Sequence, residues 1–375
     1  MGANDYAIVV GISKYPALGD LDGPEADALD FYKWLVDPQG GNVPDDEEHI
    51  TILLSSKYPA APAHLKARPK VEDIEEVFDG YYVKGKDEST AGDRLYLYFA
   101  GHGFAPSLED AALLMANAAR GMTGYHLPGR KYANWFRQAA FFNEVILFMD
   151  CCRESYQLSA PREVPYEKLN GDKPAKHYFS FATQWSRATR EGPWGENGTT
   201  RGLFTLALLA GLRGGAAKDA NGQVTGEALE SFTFNFIRKK FSEWDEKERE
   251  KAKAAGEEEP APEEHPDPEF FYDKMKPILF GAPVIKPAGA VRSAEPEAPP
   301  AAEAQYTVRI AAKNGSTFKL STNGQPDIAP FAKLADRWEW KLAEAGLYKL
   351  TRNDGASKLF EVIGEKQEAI DVVLD

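Results

Sequence analysis

An α/β fold, a mostly parallel sheet flanked by helices, followed by a small C-terminal all-β domain, is what this 375-residue sequence predicts. Three observations predict it. Apolar runs of strand length alternate with helix-periodic segments from Tyr6 to about Gly281. Those runs are almost continuously apolar, as strands buried on both faces are. Beyond a Pro- and Ala-rich break the pattern changes to short alternating runs parted by turn residues.

The elements follow in order. Tyr6–Gly11 is an apolar run of strand length, and a helix is predicted from about Pro24 to Val36. Strand Ile50–Leu54, a helix from about Val71 to Tyr82 and strand Arg94–Ala100 come next. A helix from about Tyr132 to Phe142 feeds strand Glu144–Asp150, and after a loop come strand His177–Ala182 and helices near Leu203–Leu212 and Glu227–Phe241. Residues 243–269 hold 12 acids against four bases, with little apolar content to offset ordering; they read as a helix end running into a solvated acidic insertion, with a docking site as the alternative. Strand-like Met275–Gly281 is expected to return to the sheet edge, which closes a main domain at residues 1–281.

Residues 282–304, rich in Pro, Ala and Glu, read as a semi-extended linker. In residues 305–375 the runs Tyr306–Ile310, Thr317–Leu320, Leu347–Leu350 and Leu359–Val362 are parted by Asn314-Gly315, Asn323-Gly324 and Asn353-Asp354-Gly355, which predicts a small β-sandwich-like domain. It has no Cys or His, so recognition or support is expected of it rather than chemistry.

Composition narrows the function. Apolar content of 43% and aromatic content of 12% belong to a globular protein with a real core. A net charge of −14 and no basic patch argue against nucleic-acid or anionic-membrane partners. The start lacks a basic stretch followed by a dedicated apolar one, and no segment approaches the roughly 20 apolar residues that span a bilayer, so a cytoplasmic location is expected. The only cysteines, Cys151 and Cys152, are neighbours, which cannot close a structural loop and do not offer zinc separated ligand pairs. A reactive thiol in a reducing compartment is one reading, and a pair of buried small hydrophobes is the other.

Two stretches fifty residues apart carry the chemistry: Leu95–Gly103, ending in Gly101-His102-Gly103, and Val145–Ser155, containing Asp150-Cys151-Cys152-Arg153. Each is an apolar strand ending on a reactive residue, so two neighbouring parallel strands deliver a His and a Cys to one sheet edge, where active sites of such sheets lie. Attack by a thiolate on a carbonyl needs a base and oxyanion donors. His102 between two glycines suits the base, and the amides of Gly103 and of the nucleophile suit the donors.

The pair Phe99-Ala100-Gly101-His102-Gly103 and Met149-Asp150-Cys151-Cys152-Arg153 resembles the caspase-like cysteine peptidases, in their metacaspase and bacterial caspase-homologue branch. The resemblance runs from about Tyr6 to about Gly281 and includes Val10–Tyr15, Leu21–Ala28 and Arg201–Leu209; Pro24, Ala26 and Arg153-Glu154-Ser155 depart from the family's usual residues. It implies a Cys152–His102 dyad, with Cys151 packed beneath, and a primary pocket formed by Asp27 and Asp150. Two carboxylates there favour Arg, with Lys second, in a protein substrate. The alternatives are an exposed helix residue for Asp27 and a strand-end hydrogen bond for Asp150. Trp185 follows the strand that borders the substrate groove and is expected to wall a neighbouring subsite or to pack in its loop.

His49, His64 and His126 read as surface or loop histidines, and His177 as a packed one. Glu109 and Asp110 match the family's calcium-binding acidic cluster only in part, so no cofactor or metal is expected, with calcium as the alternative. Arg162, Lys168, Lys173 and Lys176, among prolines and glycine, suggest a processing loop cut by the protein itself or by an upstream activating protease. The resemblance places relatives in cell death, stress and prokaryotic antiviral defence. An inactive caspase-fold adaptor working through its C-terminal domain is the competing reading. An Asp-specific caspase would need basic pocket residues, for which only Arg153 and Arg187 are candidates.

Overall fold

The computed structural model describes residues 2–107, 110–154, 162–169, 173–187, 189, 191–255 and 266–281, then 306–311, 317–322, 330, 332–333, 337–342, 346–353, 357–362 and 369–372. The chain divides into two compact units, Met1–Pro287 and Ala288–Asp375. The proposed linker at 282–304 lies outside the described residues.

In the first unit, strands β1 (Asp5–Gly11), β2 (Ile50–Leu54), β3 (Gly92–Ala100), β4 (Phe142–Asp150), β5 (Lys176–Phe181) and β6 (Glu269–Tyr272) form one sheet in the order β6-β5-β4-β3-β1-β2. The first five are mutually parallel and β6 runs antiparallel to β5. Helices are α1 (Pro24–Val36), α2 (Val71–Glu88), α3 (Gly129–Ala139), α4 (Leu203–Ala210) and α5 (Gly226–Ala255).

Two cores explain why the strands read as unbroken apolar runs. Ile8, Val10, Leu95 and Leu97 face one way and pack with Ile74 and Phe78 of α2 and with Tyr132 and Phe136 of α3. Their neighbours Ala7, Val9, Tyr96 and Tyr98 face the other way and pack with Phe31 and Trp34 of α1, Leu208 of α4, and Leu229 and Ile237 of α5. Side chains alternate across a strand, so covering both faces demands apolar residues at every position.

Two expectations are corrected. The sheet-edge strand is Glu269–Tyr272, which starts at the last residue of the stretch expected to be solvated and runs on before Met275, and Leu279–Phe280 pairs instead with Val224–Thr225. The acids that precede it mask the short run Phe270, Phe271 and Tyr272, whose rings reach Tyr178 and Phe181. Helix α5 also continues to Ala255, past the predicted end, with ion pairs at helical spacing such as Asp245–Arg249 and Glu248–Lys251.

The described residues of the second unit form two sheets. One orders Ala332–Lys333, Arg337–Leu342, Tyr306–Ala311 and Ala369–Val372; the other orders Phe318–Thr322, Gly346–Arg352 and Ser357–Val362. Trp338 of the first meets Phe318 of the second edge-on at 5.6 Å, and Val308, Ile310, Leu320, Trp340 and Leu350 are buried.

Candidate active site

The register of the central strands sets the geometry. Ala100 of β3 lies opposite Asp150 of β4, so His102 and Cys152 both stand two residues beyond matched strand ends. The chain leaves β3 through Gly101, at φ +153°, where a Cβ would come within 2.3 Å of Tyr15 Oη. Only glycine makes that turn beneath the histidine.

His102 is held from two sides. Its main-chain N–H donates to Tyr15 Oη (3.0 Å), Tyr15 Oη donates to the Leu114 carbonyl (2.9 Å), and the two rings meet edge-on at 4.7 Å. Its Nε2 lies 3.0 Å from the Gly19 carbonyl oxygen. A carbonyl only accepts, so this contact places a proton on Nε2 and leaves Nδ1 as the basic nitrogen of the neutral ring. Gly19 presents that carbonyl from a loop closed by Asp20, which accepts from the Tyr15 N–H and from Lys14 Nζ, both at 2.9 Å.

The two cysteines have different surroundings. Cys151 is buried, and burial pushes its thiol well above the usual range. Its Sγ would lie 2.5 Å from a Cβ placed on Gly103, so the glycine lets the two strand exits close together. Cys152 lines a cavity of about 290 Å³, and its Sγ lies 3.6 Å from the Thr189 carbonyl oxygen. Burial pushes its thiol up to about 11, opposed by the Thr189 contact and reinforced by Glu154 and Asp150. Leu114 N–H donates to the His102 carbonyl (2.8 Å), which makes Gly103–Leu113 a non-hydrogen-bonded pair and turns the Gly103 amide away from that ladder.

Asp27 and Asp150 line the same cavity as His102 and Cys152, together with Glu191, Thr189 and Gly202. Asp27 accepts from Arg201 Nε (2.5 Å) and from the Gly202 N–H (2.7 Å); Asp150 accepts from Thr205 Oγ1 (2.6 Å) and its N–H (3.2 Å). A Cβ on Gly202 would stand 2.2 Å from Asp150 Oδ2 and 3.0 Å from Asp27 Oδ2, so this glycine is the floor on which both carboxylates meet. Burial, then the Asp150 charge, raise Asp27 to about 7 against the pull of Arg201; burial likewise raises Asp150. Among the described lining residues there is no Lys or Arg.

Several sequence expectations end differently. Arg153 is fully buried away from the cavity, paired with Glu269 and stacked 4.8 Å from the Phe181 ring centroid, and Arg187 is exposed outside the lining, so neither makes a basic pocket. Trp185 is exposed rather than packed in its loop, and it lies outside the lining of this cavity, as a wall of a neighbouring subsite would. Lys176 is no loop residue: it opens β5 opposite Glu144. Arg162 is held by Glu75 (3.1 Å), in a segment pinned to α2 and α3 by Tyr166 stacked on Tyr82 and by Trp135 Nε1 donating to the Glu167 carbonyl. Lys168 and Lys173 are exposed. His126 is buried against Phe104 rather than on the surface. Glu109 lies outside the described residues, and Asp110 is buried with Oδ1 accepting from the Ala111 N–H.

Tyr15, Gly19, Thr189, Glu191, Arg201 and Thr205 were not singled out from sequence. Arg201 and Thr205 had a signal, since buried carboxylates require donors. The others act through main-chain atoms or loop geometry.

Among the described residues no group of His, Cys, Asp or Glu is arranged to hold a metal ion, and no helix is long and apolar enough to cross a membrane. A caspase-domain family model matches residues 4–270. A probable protease of a Desulfuromonadales bacterium is 31% identical over 221 residues, which cover 56% of this chain and 26% of that protein. The match thus spans about a quarter of that relative's length. The crystal structure of caspase-1 from Spodoptera frugiperda aligns with a TM-score of 0.42 at 14% identity, covering 72% of this chain and 86% of that one. With the family model running through both strand exits that carry His102 and Cys152, the chain belongs to the caspase-domain family of peptidases.

Proposed function

We propose that this protein is a cysteine endopeptidase that cleaves proteins after Arg, and second after Lys. One observation carries the reading: a thiol, an imidazole and two buried carboxylates line a single cavity with no described cation from Lys or Arg in its wall. A guanidinium suits such a pair because it offers several donors in a plane and stays charged.

In the proposed reaction His102 takes the Cys152 proton and Sγ attacks the carbonyl carbon, as the C=O electron pair moves to oxygen. The oxygen faces the amides of Gly103 and Cys152. Collapse of the adduct breaks the C–N bond, and His102 hands its proton to the leaving amine. Water then attacks the thioester with His102 as base, and the returning proton restores the thiol. The Gly19 carbonyl keeps Nε2 protonated throughout, so Nδ1 alone shuttles the proton.

Regulation by cleavage of the segment after the nucleophile retains Lys168 and Lys173, which are exposed and outside any strand, of the four named from sequence. A limited-proteolysis role in stress, cell death or prokaryotic defence fits such an enzyme. The test is fluorophore release from short peptides ending in Arg, Lys or Asp, by wild type and Cys152→Ala, with calcium and with chelator. Arg cleavage abolished in Cys152→Ala supports the reading. Silence on every peptide, persisting after tryptic nicking, would favour a caspase-fold adaptor.

A further inference from the structure

A second cavity, of about 410 Å³, lies between α3 and the outer strands β5 and β6 and shares no lining residue with the catalytic one. Its wall contains Arg130, Lys131, Asn134 and Arg137 of α3, His177 of β5 and Asp110. Tyr132, Ala133, Phe136 and Ala139 form the buried apolar face of α3, whereas Arg130, Asn134 and Arg137, at i, i+4 and i+7, make a separate polar stripe toward the cavity.

Three cations against one carboxylate is an unusual concentration in a chain of net charge −14. Arg137 has no ion-pair partner among the described residues: Nη1 donates to Asn134 Oδ1 at 3.3 Å, and its buried Nε has no acceptor. Buried guanidinium donors without acceptors are costly and ask for an anion. Lys131 reaches Glu163 at 2.7 Å and Asp110 only at 3.9 Å. The Arg130 guanidinium lies 4.2 Å from the Phe271 ring centroid, on the apolar side of the same cavity. Burial, then the Arg137 and Arg130 charges, press His177 down to about 4 against the pull of Asp273, which reports the positive potential there.

We propose that this cavity binds a phosphate-bearing small molecule. A phosphate chain offers many charged acceptors to donors spread along α3, where a single carboxylate engages fewer. The volume exceeds what one phosphate fills. Asp110 Oδ2, buried with no hydrogen-bond partner, suits a hydroxyl on the same ligand.

The test is calorimetric titration of the full chain with tripolyphosphate and, separately, metal-free ATP, which distinguishes an inorganic from a nucleotide source. Heat of binding does not depend on peptidase activity, so this proposal and the proposed function fail separately. Saturable one-site binding is expected, weakened about tenfold or more in Arg137→Gln. Lys131→Gln, at another cation of the cavity wall, gives the same comparison if Arg137→Gln fails to fold by circular dichroism. The proposal is overturned if neither phosphate compound binds at millimolar concentration, if binding is unchanged in the folded variants, or if a tricarboxylate binds and the phosphates do not.

Discussion

Replacing Asp27 with Asn tests whether the carboxylate pair selects a cation. The variant also disturbs Arg201 and the Gly202 amide, which Asp27 holds, so a simple loss of activity would be ambiguous. A cycle resolves it: wild type and Asp27→Asn are each assayed on a peptide ending in Arg and on its neutral isostere ending in citrulline. General disorder of the site lowers both substrates, and only the charge interaction lowers Arg alone. A hydrogen bond to a charged group contributes about 1.5–3 kcal/mol, or roughly 10- to 150-fold in kcat/KM. Arg201 already neutralises part of the Asp27 charge, and with Asp27 raised to about 7 the carboxyl is substantially protonated at neutral pH. The coupling at pH 7 is therefore expected near the lower end, about tenfold, and to grow toward pH 8 as Asp27 ionises. Stability moves the opposite way. The folded state holds this proton above the ordinary carboxylate value of 3.8, so the stabilisation is complete below that value and is lost as pH rises toward about 7. Equal losses on Arg and citrulline, or a pH-independent Arg preference, would refute the reasoning.

Three further substitutions probe the scaffold. Tyr15→Phe leaves the His102 N–H and the Leu114 carbonyl without their partner; it should cost about 1–3 kcal/mol in urea unfolding and lower kcat more than it raises KM, and an unchanged kcat would argue that His102 is positioned otherwise. Gly202→Ala drives a methyl to 2.2 Å from Asp150 Oδ2, so Arg-peptide cleavage should fall at least about tenfold with a destabilisation of about 1–3 kcal/mol; wild-type kinetics would show that the pocket floor yields. Arg153→Met removes a buried guanidinium whose partner Glu269 keeps 30% side-chain exposure, which points to the lower end of the cost for a broken buried pair, about 3 kcal/mol, read as a lowered thermal midpoint; a midpoint shift near zero would contradict the burial argument.

The sheet was legible because each of its central strands must be apolar on both faces, and Tyr6–Gly11, Arg94–Ala100 and Glu144–Asp150 show that directly. The meeting of His102 and Cys152 at one sheet edge was legible because each follows such a strand at once. Edge strand β6 was hidden because its Glu269-Phe270-Phe271-Tyr272 run is short and is preceded by acids, and an antiparallel edge strand leaves no helix-strand alternation to read. Gly19 and Thr189 contribute carbonyl oxygens, which every residue carries, so only the fold reveals them. The pairing of Arg162 and the strand position of Lys176 were not legible because basic content says nothing of either: one side chain is held by Glu75 and the other residue is in the sheet.

The pocket and the nucleophile are not electrically independent. Asp150 stands two residues before Cys152, and its negative charge is one of the influences that raise the thiol toward about 11. Asp150 also disfavours ionisation of Asp27, and burial disfavours ionisation of both, so the site holds less negative charge than two free aspartates would. On the proposed specificity, an arriving guanidinium reverses both effects together: it favours ionised carboxylates, and it offsets their field at Sγ. The thiolate then becomes easier to form when the correct side chain fills the pocket. A neutral or acidic side chain supplies no such compensation and leaves the thiol protonated. Selectivity for a cation would thus arise partly in binding and partly in activation of the nucleophile, with the strand β4 that carries both Asp150 and the Cys152 exit as the physical link.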